Sequence, residues 1–392
     1  MQITKYFVFI LTLWLCFSCN TDRAVLKKIE ISNPLPFDRD TEIVAIDLQD
    51  ITDRQNLQFG IALKGDDATL LSQIIDLNGD NLPDQLLFQP AIAGNSSVMF
   101  ELIKTDIDSD LDEGDPTCYS RFVPERTDDY AWENDKVAFR TFGPEAQRMK
   151  EAGIQGGTLT SGIDAWLKRV NYPIINKWYE KETSGAGSYH EDTGEGLDNF
   201  HVGISRGIGG SAVKHEGKYS TSKNFVSWKT HYVGPLRTSF TLTYDTWDVG
   251  EKSIRESKTI TLDKGSYLSH FRCIVEGTDI MSIGLTLHEN DGITDVNKDQ
   301  GWTTYWQPHG DSELGTAVIV SDNAMIDYDK YVSSEKDQSN LYSLVKVENN
   351  QVSYFAGFGW KKGGQFSNQE DWNNYIKRFA LQLEEPLRIQ YH

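Results

Sequence analysis

The sequence predicts an all-β protein, a large antiparallel β-sandwich with few helices. Strand-like runs bounded by turn residues recur along the chain, helical periodicity is scarce, and aromatic residues are plentiful. The runs are SSVMFELI (96–103), TSFTLTY (238–244), KTITLD (258–263), YLSHFRCIVEG (267–277), MSIGLTLHE (281–289), TAVIVSD (316–322), YSLVKVEN (342–349) and QVSYFAGFGW (351–360). Alternation such as Thr-Phe-Thr-Leu-Thr-Tyr marks half-buried antiparallel strands. Their regular spacing suits a sandwich rather than alternating βα units. One helix is expected near the C-terminus, where NQEDWNNYIKRFALQL places Trp372, Tyr375, Phe379 and Leu383 on one face. No repeat or low-complexity linker divides the chain. Large sandwiches run long as single units, so residues 19–392 are expected to form one domain whose N-terminal part has the same character.

The first nineteen residues differ from the rest. MQITKYFVFILTLWLCFSC has Lys5 ahead of an apolar run from Tyr6 to Phe17, too short to span a bilayer and of signal-peptide length. It ends at Ser18-Cys19, a small residue and a cysteine, where a lipoprotein signal is cut and the cysteine acylated. Residues 1–18 are therefore expected to be removed and Cys19 to anchor the chain, with an ordinary cleaved signal or a membrane anchor as alternatives. Only Asp22 follows Cys19 closely, so the outer membrane's periplasmic face is expected rather than the cell surface.

The net charge is −20, and loss of residues 1–18 removes Lys5 and makes it one unit more negative. Nucleic acid is excluded as a partner, because phosphates demand a basic face. A small anion would need a local cluster of Arg and Lys in a cleft. Beyond Cys19 only Cys118 and Cys273 remain; an oxidising compartment permits a disulfide, with two buried thiols as the alternative.

DLNGDNLPD (76–84) sets side-chain oxygens at Asp76, Asn78, Asp80 and Asp84 and the Leu82 carbonyl between them. These are positions 1, 3, 5, 9 and 7 of a calcium loop, and a structural calcium is expected there. Asx and Gly residues also make plain turns. No zinc, P-loop, GxSxG or dinucleotide signature is present, and no organic cofactor is expected.

Basic residues are few, which makes their placement informative. Arg140 with Lys136, Lys168 and Arg169 beside Trp166, Lys214 and Lys218 around His215, and Arg237 heading a strand are the candidates. Arginine forks match carboxylates bidentately, and aromatic faces stack on sugar rings. Each of these cations has the alternative of pairing with one of the 58 acidic residues. His190 in SYHED and His215 in VKHEG lie in polar, glycine-flanked stretches that a substrate can reach. His201, His231 and His270 have apolar or aromatic neighbours and are expected to be structural.

Three blocks go beyond generic chemistry: DDYAWENDKVAFRTFGPE (128–145), SGIDAWLKRVNYPIINKWY (161–179), and YHEDTGEGLDNFHVGISRGIGG (189–210) followed by SKNFVSWKTHYVGPLRTSF (222–240). They resemble the ulvan oligosaccharide dehydratases and their family of exported, often lipid-anchored proteins of polysaccharide-utilising bacteria. The resemblance covers nearly all of the mature chain and implies a galactose-mutarotase-like sandwich. It also implies loss of water from a saturated uronic acid at the non-reducing end of an anionic oligosaccharide, giving a 4,5-unsaturated uronate. A base must then remove the C5 proton, a cation must neutralise the adjacent carboxylate, and an acid must protonate the departing C4 hydroxyl. On that basis His190, oriented by Asp192, and His215 are expected as acid and base, with Arg169 supporting catalysis. Arg140, Lys168, Tyr189, Lys214 and Arg237 are expected to hold the substrate. A polysaccharide lyase and a non-catalytic glycan-binding protein are the rivals.

Overall fold

A computed structural model describes residues 24–392 apart from 67, 106–115 and 322–323. Cys19 and the acidic run 106–115 lie outside the described residues. The architecture is an antiparallel β-sandwich with few helices. Its largest sheet runs Phe225–Tyr232, Arg237–Tyr244, Lys252–Asp263, Leu268–Glu276, Gln351–Trp360, Ser312–Val320, Trp302–His309 and Ile293–Asn297, with Trp247–Val249 paired beside Lys252–Asp263. A five-stranded sheet, Lys218–Ser220, Ile208–His215, Ile280–Thr286, Asn340–Lys346 and Met325–Tyr331, faces it. A second five-stranded sheet is ordered Gly196–Leu197, Asp164–Lys168, Ala138–Thr141, Asp129–Glu133 and Tyr119–Val123.

Strand alternation explains the layering. Phe240, Leu242, Ile260 and Phe271 of the large sheet and Ile283, Leu285, Leu341 and Val345 of the facing one share the buried core between the sheets, where Phe240 also packs on Tyr130 and Trp132 of the second five-stranded sheet. Burial of each such side chain contributes roughly 1.5–3 kcal/mol, which makes this interface the main source of stability. All eight strand-like runs fall on strands. The C-terminal helix, Gln369–Glu384, is present and starts at Asn368, whose side chain accepts from the Asp371 amide. Its most buried residues are Trp372, Ile376 and Ala380, and Tyr375, Phe379 and Leu383 flank that stripe against the core.

Two helices escape the periodicity, Pro144–Glu151 and Ile175–Thr183. Both are short and mostly polar, so neither presents a long apolar stripe. Residues 25–105 and the returning strand Arg388–Tyr391 make a smaller pair of sheets with a separate core of Ile29, Ile31, Phe59, Ile61, Leu86, Phe88, Phe100 and Leu102. Cys118 and Cys273 are buried free thiols rather than a disulfide. Burial pushes both thiols up, Cys273 to about 12, so neither is poised to react.

Candidate functional site: an acid-locked loop and a basic tyrosine cleft

The segment 188–203 leaves helix Ile175–Thr183 and folds back on itself, with the Asp198 amide donating to the Tyr189 carbonyl at 2.8 Å. Tyr189 is buried among Trp166 and Tyr179. His190 points outward with its side chain 53% exposed, and its Nδ1 lies 2.6 Å from the Asp198 carbonyl oxygen. A carbonyl only accepts, so Nδ1 carries the proton and Nε2 is the free nitrogen. Asp192 does not orient this ring. Its carboxylate instead accepts from the Gly194 and Gly196 amides and from Arg169, whose Nε also donates to the Gly194 carbonyl. Gly196, at φ +116°, permits the turn; a Cβ there would stand 1.9 Å from the Leu167 carbonyl oxygen. Arg169 and Asp192 thus brace the loop.

Arg140 is likewise committed. It donates to Asp164 at 2.5 Å, to Asp198 at 2.8 Å and to the Tyr189 hydroxyl at 3.2 Å, with Asp129 at 3.7 Å. Burial pushes all three carboxyls up, Asp129 to about 6, and the guanidinium opposes it. An arginine sharing three acids has its charge more than balanced and offers no net attraction to an anionic substrate. Lys168 spends its three protons on Glu133, the Asn134 carbonyl and the Tyr172 carbonyl, and Glu133 in turn accepts from the Ile174 and Ile175 amides that start the helix. Arg237 is clamped on Asp263 and Lys214 on Asp329. His215 ends the strand Ile208–His215 beside Glu216 and Gly250, apart from the neighbours of His190. The structure does not bring the two histidines together, because they belong to different sheets and loops.

Apart from Lys218, the sequence did not single out the residues of a cleft of about 660 Å³ on the five-stranded sheet that faces the large one. Its walls include Arg206, Lys218, Tyr219, Tyr331, Asn340 and Tyr342. Arg206 is 1% exposed and donates only to neutral oxygens: Ser161 Oγ, the Ser211 carbonyl, Thr160 Oγ1 and the Ile204 carbonyl. Among the described residues no carboxylate pairs with it. Glu256 receives the Ser211 hydroxyl at 2.5 Å and is matched by buried Lys258 at 3.4 Å. Two cations and one anion leave this buried group positive. Desolvation lowers the Arg206 pKa from its ordinary value, and Tyr342 and Glu256 oppose it only in part.

The aromatic wall is ordered by the same sheet. Tyr219 stacks on Tyr342 with centroids 3.8 Å apart at 15°, and Tyr331 meets Tyr219 edge-on at 5.2 Å. The Tyr219 hydroxyl donates to Asp329 at 2.6 Å, so the Lys214–Asp329 pair props the wall rather than binding directly. Gly284 brings Arg206 and Tyr342 together: a Cβ there would meet Arg206 Cβ at 2.6 Å and Tyr342 Cε1 at 2.9 Å. At the mouth, Lys218 is exposed and has no ion pair among the described residues, whereas Lys223 pairs with Glu151. The loop after Met325–Tyr331 closes one side and is held by Asp337 against His201 at 3.0 Å. Four separated segments supply these residues, and only strand pairing, such as Lys214 with Tyr219 and Asp329 with Tyr342, assembles them.

In the 76–84 loop, Asp76 accepts from the Asn78, Gly79 and Asn81 amides, Asn78 from that of Asp80, and Asp80 from that of Leu82. Asp84 is buried, accepts from the Leu77 amide and faces Arg54 at 3.3 Å. Among the described residues no three His, Cys, Asp or Glu side chains converge as a metal site. Asp76, Asn78 and Asp80 share one tight turn, while Asp84 is drawn toward a cation.

The chain matches the model of the family described as "Domain of unknown function (DUF4861)" over residues 31–389, and it belongs to that family. A relative, "Uncharacterized protein P7" of Formosa agariphila, is 49% identical over 391 residues, covering 99% of this chain and 98% of its own. Among solved structures, a protein in glycosyl hydrolase family 38 from Enterococcus faecalis aligns with TM-score 0.48 and 10% identity over 93% of this chain. An alpha-mannosidase from Enterococcus faecalis V583 aligns with TM-score 0.44 and 9% identity, also over 93%. This chain spans 47% and 46% of those two structures.

Proposed function

We propose that the protein is an oligosaccharide dehydratase. It removes water from the non-reducing-end uronic acid of ulvan-type oligosaccharides and leaves a 4,5-unsaturated uronate. The cleft around Arg206 is the site. The observation that carries this reading is the buried guanidinium without a carboxylate in a protein of 58 acidic and 38 basic residues. An uncompensated buried cation costs several kcal/mol, and a bound carboxylate offsets that cost. The same carboxylate sits on C5, so the cation also stabilises the enediolate that develops as the C5 proton leaves. Tyrosine faces beside it suit a sugar ring. The sequence resemblance to the dehydratases supports the same chemistry, and the charge balance supports this cleft as its seat.

A polysaccharide lyase uses the same proton abstraction but expels a glycosidic oxygen. Product mass distinguishes the two. Purified protein incubated with saturated glucuronate- or iduronate-terminated oligosaccharides should yield a product lighter by one water and of unchanged length, with the absorbance of a conjugated double bond. Shorter products would make it a lyase, and binding without any product would make it a glycan-binding protein.

A further inference from the structure

We propose that Tyr342 is the proton-transferring catalytic residue of this cleft, acting on the substrate that Arg206 holds. The proposal rests on the dehydratase reading above. Tyr342 is 2% exposed, lines the cleft, and has no hydrogen-bond partner for its hydroxyl among the described residues. The other hydroxyl of the stacked pair, on Tyr219, is already given to Asp329. Gly284 lets the Tyr342 ring edge pack against the Arg206 stem, so the free phenol and the buried cation belong to one cleft.

Burial raises the Tyr342 pKa and Arg206 opposes that rise. The phenol is therefore protonated at neutral pH, ready to donate, and its conjugate base has a cation beside it. The step balances on this one group. The phenolic proton passes to the C4 oxygen as the C4–O bond breaks, and the C5–H electron pair becomes the second bond between C4 and C5. The C5 proton passes to the Tyr342 oxygen, which restores the phenol, and water leaves. No oxidant or co-reactant is required. Both transfers occur on the face of the sugar turned toward the ring, so the elimination is syn.

Tyr342→Phe deletes only a hydroxyl that nothing in the protein uses, so the fold is left in place. With a saturated glucuronate-terminated disaccharide, kcat should fall by about 100-fold or more, as loss of a general acid–base group does, while KM and Tm stay near wild type. Tyr328→Phe, an exposed control on the strand Met325–Tyr331 but outside the cleft walls, should keep its kcat. Retained kcat in Tyr342→Phe, or an equal fall in Tyr328→Phe, overturns the assignment while the dehydratase reading stands. A wild-type protein that forms no unsaturated product from glucuronate- or iduronate-terminated disaccharides overturns both.

Discussion

Arg140, Lys168, Arg169, Lys214 and Arg237 were visible in the sequence as scarce cations beside aromatic residues, yet each is claimed by a carboxylate of its own protein. Acidic residues outnumber basic ones, so a cation chosen by residue type alone is usually already paired. Arg206 differs through its partners, and partners are fixed by tertiary structure. This makes a stability prediction. Arg206→Gln keeps hydrogen-bonding capacity toward Ser161 and Thr160 and removes a desolvated charge, so its Tm should equal or exceed that of wild type. A large loss of Tm would mean that the guanidinium is chiefly a structural tie. The Arg140 cluster makes a pH-dependent prediction of its own. Asp129 is pushed up to about 6 when folded, from an ordinary value near 3.8. A carboxyl raised in this way contributes most below about pH 4 and loses that contribution as pH rises through 6. Asp129→Asn should therefore gain stability relative to wild type between pH 4 and 7, by at most ~3 kcal/mol. A pH-independent difference in Tm would contradict the shift.

Strands were the legible elements, because each carries its own alternation and its turn residues. The helices Pro144–Glu151 and Ile175–Thr183 were not, being too short for a 3.6-residue period to stand out. The loop 188–203 is dense in carboxylates and glycines, but its carboxylates serve the fold: Asp192 on Arg169, Glu195 on Lys177 and Asp198 on Arg140. Chemistry-bearing composition did not separate a brace from a site. The turn 76–84 remains a proposal for calcium. If it holds the ion, chelator should lower Tm by several degrees, and Asp80→Ala should abolish that response. An unchanged Tm on chelation would leave the amide hydrogen bonds to Asp76, Asn78 and Asp80 as the whole account of the turn.

At the scale of the molecule, the sandwich class followed from pattern, whereas the cleft arises where sheet order sets residues 206, 219, 331 and 342 side by side. No local spacing encodes that meeting. The proposed anchor also belongs here, since acylation of Cys19 would fix where the whole chain resides. Cys19→Ser should move the protein from the membrane to the soluble fraction; unchanged fractionation would remove the anchor. The central claim is that a buried, unpaired guanidinium receives a sugar carboxylate and turns it toward elimination. It is tested most directly by turnover of a glucuronate-terminated oligosaccharide and its carboxyl-reduced counterpart, by wild type and Arg206→Gln in parallel. The account predicts that wild type acts on the acid alone and that folded Arg206→Gln loses at least about 100-fold in kcat/KM. Equal turnover of the reduced sugar, or near-normal turnover by Arg206→Gln, would contradict it.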